Sequence, residues 1–195
     1  MSRKSKPQET KDVIHHKDTA LLIIDMLNTL EFPQGRKLLA QAKPVARRIA
    51  RLKDRAKKKK IPVIYVNDNF GQWRSDWAAV YSRCLAKGGL GRELAQPLEP
   101  ASDDYFVLKP KHSAFYSTSL EVLLKQIGVD RLIITGIAAD ICILFSVYDA
   151  YVRGYTICVP RDCVASETAT LKRNAVGLMK KAFKVKTPPS ASVKF

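Results

Sequence analysis

The chain has little cysteine, with four among 195 residues. The four are irregularly spaced, and none belongs to a CxxC pair. This argues against a disulfide framework and against a structural zinc site. We therefore expect free thiols at all four positions: Cys84, Cys142, Cys158 and Cys163.

Long hydrophobic runs are also missing. The longest apolar stretch, residues 132–147, is interrupted by Gly136 and Asp140. It is shorter than the ~20 apolar residues needed to span a bilayer. Residues 1–18 are basic and polar, without the apolar core of a secretory signal. We expect no membrane segment and, since nothing supports export, a cytoplasmic protein.

Acidic residues are scarce relative to basic ones, with 18 Asp and Glu against 34 Lys and Arg, a formal charge of +16. Such an excess is typical of proteins that bind nucleic acid or other acidic partners. Ten of the basic residues lie within residues 43–60, where apolar residues recur at helical spacing. This predicts an amphipathic helix with a solvated basic face. It has no aromatic residue to stack on bases, so we do not expect a nucleic-acid partner.

Short apolar segments alternate along the chain with helical patterns. Strands are predicted at residues 19–25, 61–68, 104–109, 131–135 and 155–160, and helices at residues 43–60, 117–128, 140–154 and 168–183. The alternation predicts an α/β, three-layer Rossmann-like fold, with a mostly parallel central sheet of about six strands and helices on both faces. We expect one domain over residues 19–185, a basic flexible tail over 1–18 and a loose tail over 186–195.

Reactive side chains lie where three of these strands end. Asp25 ends the first strand, Lys109 ends the third, and Cys142 opens the helix after the fourth. Ligands of parallel sheets bind beyond the carboxyl ends of the strands, so the three should lie close together. A helix N-terminus lowers the pKa of a thiol, a carboxylate can accept its proton, and a lysine can keep that carboxylate ionised. The tight turn before Cys142 would offer N–H groups to an oxyanion.

Each of the three residues also has a purely structural interpretation. A cysteine in an apolar helix can be a small core residue, an aspartate at a strand end can cap a turn, and a lysine beside a proline can lie on the surface. Residues 69–100 predict short helices and loops that form a lid or pocket wall. We select five substrate-binding candidates, with plain packing as the alternative role: Asn69, Phe70, Trp73, Trp77 and Tyr116.

Four segments resemble the isochorismatase-like cysteine hydrolase superfamily, which includes nicotinamidases, carbamoylsarcosine amidases and ureidoacrylate amidases. They are "ALLIIDMLN", "KPKHSAFYSTSLEVLL", "LIITGIAADICILFSVYDAYVRGY" and "PRDCVAS". The resemblance implies that Asp25 is a catalytic base, Lys109 its partner and Cys142 the nucleophile. It also implies a cis peptide between Ile137 and Ala138, an oxyanion hole formed by the N–H groups of Ala138 and Cys142, and a homo-oligomer.

Three features qualify the resemblance. Leu27, Thr29 and Leu30 stand where the family commonly has glutamine, aspartate and phenylalanine, so the local pocket differs. The segment "VNDNFGQWRSDW" contains no histidine, whereas nicotinamidases carry an aspartate and histidine metal site there; we expect no metal and no cofactor. Isochorismatases that cleave a vinyl ether do not rely on the cysteine, so its presence points to C–N bond hydrolysis.

Two hypotheses follow. The first is an enzyme that hydrolyses a small-molecule amide, carbamoyl or ureido compound through a covalent thioester. The alternative is a non-catalytic binding or regulatory protein on the same fold, which engages an acidic partner through its basic helix. Ammonia release from amides and ureides separates the two.

Overall fold

The computed structural model describes residues 18–72 and 74–195. The predicted N-terminal tail, except for Asp18, and the substrate-binding candidate Trp73 lie outside the described residues. Among the described helices, none is long and apolar enough to cross a lipid bilayer.

Six strands form a single sheet in the described part of the chain. They are β1 (Thr19–Ile24), β2 (Val63–Asp68), β3 (Tyr105–Lys109), β4 (Arg131–Ile137), β5 (Thr156–Cys158) and β6 (Val164–Ala165). The strand order is β3-β2-β1-β4-β5, β6 also pairs with β4, and these pairings are parallel. The α/β fold with a parallel sheet of about six strands is confirmed. The sixth strand, only two residues long, gave no pattern that could be recognised in the sequence.

Helices connect the strands. They are α1 (Gly35–Lys58), α2 (Trp77–Cys84), α3 (Arg92–Ala95), α4 (Leu120–Gln126), α5 (Leu144–Val152) and α6 (Ala169–Ala182). Helix α1 begins well before residue 43, where the predicted helix starts. It continues through Pro44 because Leu38, Leu39 and Ala42 extend its buried face towards the N-terminus.

Two hydrophobic cores lie on opposite faces of the sheet, because successive strand side chains point to opposite sides. Leu21 and Ile23 of β1 pack in a core with α1, α2 and α3. Leu22 and Ile24 pack in the other core, with α4, α5 and α6. Helices therefore cover both faces, and the three-layer arrangement is present.

The C-terminal segment differs from the loose tail predicted over residues 186–195. Lys186 forms a parallel β-bridge with Cys158, and its carbonyl accepts the Val159 N–H at 2.8 Å. The Arg55 guanidinium donates to the carbonyls of Ser190 and Val193 at 2.7 and 2.6 Å. The sequence of the segment, mostly small and polar, did not predict this anchoring. The anchoring depends on backbone carbonyls rather than on apolar side chains.

One lysine of the basic helix is buried, unlike the solvated face predicted for it. Lys53 donates to the Tyr65 hydroxyl at 2.9 Å and to the Glu99 carbonyl at 2.8 Å. Its ammonium also lies 2.7 Å from the Asp104 carboxylate, whose side chain is 1% exposed. Lys57 reaches the other oxygen of Asp104 at 2.6 Å. These contacts attach α1 to the segment before β3.

Asp104→Asn is expected to lower the free energy of unfolding by about 3–5 kcal/mol, because it leaves the buried Lys53 ammonium without its counter-charge. Urea denaturation measures the loss. The control is Asp103→Asn, the same charge change at a side chain that is 75% exposed and also paired with Lys57. It should cost less than about 1 kcal/mol. Equal losses in the two variants would contradict the buried network.

Candidate active site

The site lies at the carboxyl edge of the sheet, where the strand order reverses. From β1 the chain proceeds outward through β2 to β3, and β4 then begins on the other side of β1. Such a switch point is where open α/β sheets bind ligands. Asp25 stands directly after β1, and its N–H donates to the Val66 carbonyl at 3.0 Å. One carboxylate oxygen accepts the Asp68 N–H at 2.8 Å, so the side chain is held in place.

The Lys109 side chain reaches from β3 to the residues that follow β1 and β4. Lys109 ends β3, two strands away from β1, and its side chain is 0% exposed. The ammonium lies 2.8 Å from the second Asp25 oxygen and 3.7 Å from an Asp68 oxygen. It also donates to the Lys111 carbonyl at 3.2 Å and lies 3.7 Å from the Cys142 sulfur. The surface interpretation of Lys109 is therefore wrong, and the structure brings the three sequence-predicted residues together.

A glycine-dependent turn presents Cys142. Gly136 has a φ of 121°, and a Cβ there would lie 2.0 Å from the Ile24 carbonyl oxygen, so no other residue fits. The peptide between Ile137 and Ala138 is cis, as the resemblance implied. Residues 139–143 then form a π-helical turn that leads into α5. Cys142 is half-buried in this turn, whereas the other three cysteines are buried.

The thiol of Cys142 is not acidified, contrary to the expectation from its helix position. Burial, with a smaller contribution from the Asp25 charge, raises the pKa of Cys142 to about 12, while Lys109 opposes both. The Ala138 N–H also bonds the sulfur and favours the thiolate, but its effect is smaller. The free site therefore holds a neutral thiol, which needs a base.

The pKa values of Asp25 and Lys109 are coupled. Burial raises the pKa of the Asp25 carboxyl above its ordinary 3.8, and the Lys109 charge opposes this. For Lys109, burial favours the neutral amine, yet the neighbouring Asp25 charge raises the pKa above 10.5. Lys109 thus remains a cation at neutral pH and stabilises the ionised form of Asp25.

Two contributors to the site were missed in the sequence. Asp68 faces Lys109 and donates its N–H to Asp25; the only signal was the polar end of the second strand. The buried Ser146 hydroxyl donates to the Cys142 carbonyl at 2.6 Å and accepts the Ala114 N–H at 2.9 Å. A serine four residues after another helical residue can form this bond. Ser146 thereby joins the loop after Lys109 to the helix of Cys142.

Among the described residues, the side chains of the substrate-binding candidates make no hydrogen bond or ring contact with the three central side chains, although the Asn69 backbone N–H donates to the Lys109 carbonyl at 3.1 Å. Asn69 is buried, but its side-chain oxygen accepts the Gly71 N–H at 2.9 Å, so it stabilises a turn. Phe70, Trp77 and Tyr116 are exposed. Within the described ranges, no group of three or more His, Cys, Asp and Glu side chains could hold a metal ion.

The sheet order, the buried Asp25–Lys109 pair and the thiol beyond β4 define a doubly wound α/β protein with a cysteine at its ligand-binding edge. The family model of the Isochorismatase domain matches residues 19–187. The chain belongs to the isochorismatase family of hydrolases.

Three relatives illustrate its place in the family. The uncharacterized isochorismatase family protein YaaI of Bacillus subtilis is 42% identical over 151 residues, covering 77% of this chain and 82% of YaaI. A probable inactive nicotinamidase of Arabidopsis thaliana is 31% identical over 182 residues, or 88% and 92% of the two chains. The ureidoacrylate amidohydrolase RutB of Serratia proteamaculans is 27% identical over 163 residues, 71% of this chain and 66% of RutB.

Solved structures share the fold over most of their length. An isochorismatase family protein from Desulfovibrio vulgaris superposes with a TM-score of 0.72 at 27% identity, over 90% of this chain and 95% of that one. The N-carbamoylsarcosine amidase of Thermoplasma acidophilum superposes with a TM-score of 0.65 at 25% identity, over 92% and 100% of the two chains.

Proposed function

We propose that the protein is a cysteine-dependent hydrolase that cleaves a C–N bond of a small amide, carbamoyl or ureido compound. The observation that carries the proposal is the position of the Lys109 ammonium, which is buried 2.8 Å from Asp25 and 3.7 Å from the Cys142 sulfur. RutB is named for an amidohydrolase activity and the Thermoplasma relative for an amidase activity, which supports this bond type.

The first half of the reaction forms a thioester. Asp25 takes the proton of the Cys142 thiol as the sulfur attacks the substrate carbonyl carbon. Because the thiol has a pKa of about 12, proton transfer accompanies the attack instead of preceding it. The C–N bond then breaks as Asp25 returns the proton to the departing nitrogen. An amine or ammonia leaves, and the acyl group stays on sulfur.

The second half releases the acid. Asp25 takes a proton from water, the resulting hydroxide attacks the thioester carbonyl, and the proton returns to sulfur as the C–S bond breaks. Lys109 keeps Asp25 ionised and positioned at each stage. We assign the N–H groups of Ala138 and Cys142 to the oxyanion that forms in both halves. None of these steps draws on a metal ion or a cofactor, and the homo-oligomer stays a prediction.

A non-catalytic role on the same fold is the second candidate. It is favoured by the relative from Arabidopsis thaliana, which is named a probable inactive nicotinamidase. Under this alternative the basic face of α1 would bind an acidic partner, and the buried Asp25–Lys109 pair would serve only to stabilise the fold.

Ammonia release from a panel of primary amides, carbamoyl compounds and ureides tests the proposal. We expect catalytic release from at least one class by the wild-type protein and none by Cys142→Ala. The same release by both proteins would assign the activity to a contaminant or to another residue. A panel without any turnover would favour the non-catalytic alternative.

The pH profile of kcat/KM should have an acid limb and a long plateau. Activity needs ionised Asp25, whose pKa is raised above 3.8 by burial, so kcat/KM should rise with pH through a midpoint above that value. Lys109 loses its charge only above 10.5 and Cys142 ionises only at about 12, so no alkaline fall is expected below about pH 10. A decrease in kcat/KM between neutral pH and about pH 10 would contradict these assignments.

A further inference from the structure

A groove that shares no residue with the candidate active site lies between α1 and the short helical turn Ser190–Ser192. It encloses about 290 Å³ and is lined by Arg48, Arg51, Leu52, Arg55, Asp162, Ser190 and Ala191. Its three arginines project from one side of α1 at helical spacing. Asp162 is the only carboxylate among the lining residues, so the lining carries a net positive charge.

Two of the charged residues are already used by the fold. The Arg55 guanidinium donates to the Ser190 and Val193 carbonyls. Both carboxylate oxygens of Asp162 accept from Ser190, one from its N–H at 2.6 Å and one from its hydroxyl at 2.7 Å. Arg55 and Asp162 therefore fix the wall of the groove and leave little capacity for a further partner.

The guanidinium groups of the other two arginines can still donate hydrogen bonds to a ligand. The Arg48 Nε lies 4.0 Å from Asp162, which is a long ion pair rather than a hydrogen bond. Arg51 is exposed and makes no hydrogen bond or ion pair with any described residue. Two guanidinium groups, one turn apart on a rigid helix, thus face a groove whose single carboxylate is occupied.

The lowered pKa of Lys172, a neighbour of Arg48, is a second sign of excess positive charge beside the groove. Burial lowers the pKa of Lys172, and the Arg48 charge lowers it further, while Asp162 compensates only in part. A bound anion would relieve this repulsion.

A second groove on α1 shows that the charge of the helix alone does not create this situation. It encloses about 490 Å³ and is lined by Lys43, Arg47, Arg92, Glu93, Gln96 and Pro97. There Glu93 pairs with Lys43, and Arg92 donates to the Leu85 carbonyl. The two linings have the same net charge. In the second groove, however, only the Arg47 guanidinium is left without a hydrogen bond or ion pair to a described residue, so no pair of available guanidinium groups faces that groove.

We propose that the groove of Arg48 and Arg51 binds the phosphate group of a small phosphorylated molecule. Paired guanidinium groups bind phosphate oxygens through two parallel, charge-assisted hydrogen bonds, which favours phosphate over a spherical anion. The site is independent of the proposed hydrolysis, because it shares no residue with the edge that holds Cys142.

Titration calorimetry with inorganic phosphate and pyrophosphate, at constant ionic strength, tests the site in the wild-type protein. Arg51→Gln should weaken pyrophosphate binding at least about tenfold, since it removes charge-assisted hydrogen bonds. The matched control, Arg47→Gln, makes the same charge change one turn earlier in α1 and should bind within about twofold of wild type. Because Arg51 is exposed, its variant remains informative even if Arg48→Gln fails to fold.

Two outcomes would overturn the proposal. One is the absence of saturable phosphate or pyrophosphate binding by the wild-type protein. The other is equal weakening by Arg47→Gln and Arg51→Gln, accompanied by tighter binding of a single-stranded oligonucleotide than of pyrophosphate. The second outcome would define α1 as a diffuse polyanion surface rather than a phosphate site.

Discussion

Lys109→Met is expected to lower kcat/KM by about 10²- to 10⁴-fold, the contribution typical of a positioned general base. The Lys109 charge is the largest influence that opposes the raised pKa of the buried Asp25 carboxyl. Without it, the pKa of Asp25 rises further, so more of the protein holds a protonated carboxyl that cannot accept the proton from Cys142. The methionine fills most of the buried volume, so the loss should appear in kcat while the protein stays folded.

Lys111→Met is the matched control for this variant. It also removes one lysine charge two residues away, but that side chain is exposed. Its kcat/KM should stay within about twofold of wild type. Circular dichroism and urea denaturation confirm that both variants are folded. A Lys109→Met protein that keeps wild-type turnover would remove Lys109 from the mechanism.

Asp25→Asn is expected to change turnover and thiol reactivity in opposite directions. Turnover should fall by about 10²- to 10⁴-fold, because asparagine cannot accept the thiol proton. Burial and the Asp25 charge together hold the pKa of Cys142 at about 12, and the variant removes the second of these while Lys109 remains. Alkylation of Cys142 by iodoacetamide should therefore become faster, about tenfold for each unit that the thiol pKa falls.

Site-resolved mass spectrometry distinguishes this effect from general loosening of the fold. In wild type, Cys142 should alkylate before the other three cysteines, because it is half-buried and they are buried. In Asp25→Asn only the Cys142 rate should increase. Faster labelling of Cys84, Cys158 or Cys163 would indicate unfolding, and slower labelling of Cys142 would contradict the electrostatic account.

The parts of the fold that repeat along the chain were predictable from sequence. Strands such as β1 are short, continuous and apolar, and parallel topology then places their carboxyl ends at one edge. That rule was sufficient to bring Asp25, Lys109 and the Cys142 turn to a common edge of the sheet. Family resemblance added the cis peptide between Ile137 and Ala138, which periodicity could not have indicated.

Features that depend on distant contacts were not predictable. The burial of Lys53 depends on a carboxylate 51 positions later, Asp104, and no local pattern reveals that pair. The anchoring of residues 186–195 depends on backbone carbonyls that accept from Arg55. The raised pKa of Cys142 follows from its desolvation, which a helix position alone does not determine.

The central claim is that Cys142 carries the acyl group during hydrolysis of a C–N bond. The most direct test is rapid acid quenching of a single turnover, with enzyme in excess over the best amide substrate, followed by intact and peptide mass spectrometry. We expect a transient mass increase equal to the acyl group, located on Cys142 and absent from Cys142→Ala. Complete conversion of substrate without any adduct, or with an adduct on another residue, would contradict the claim.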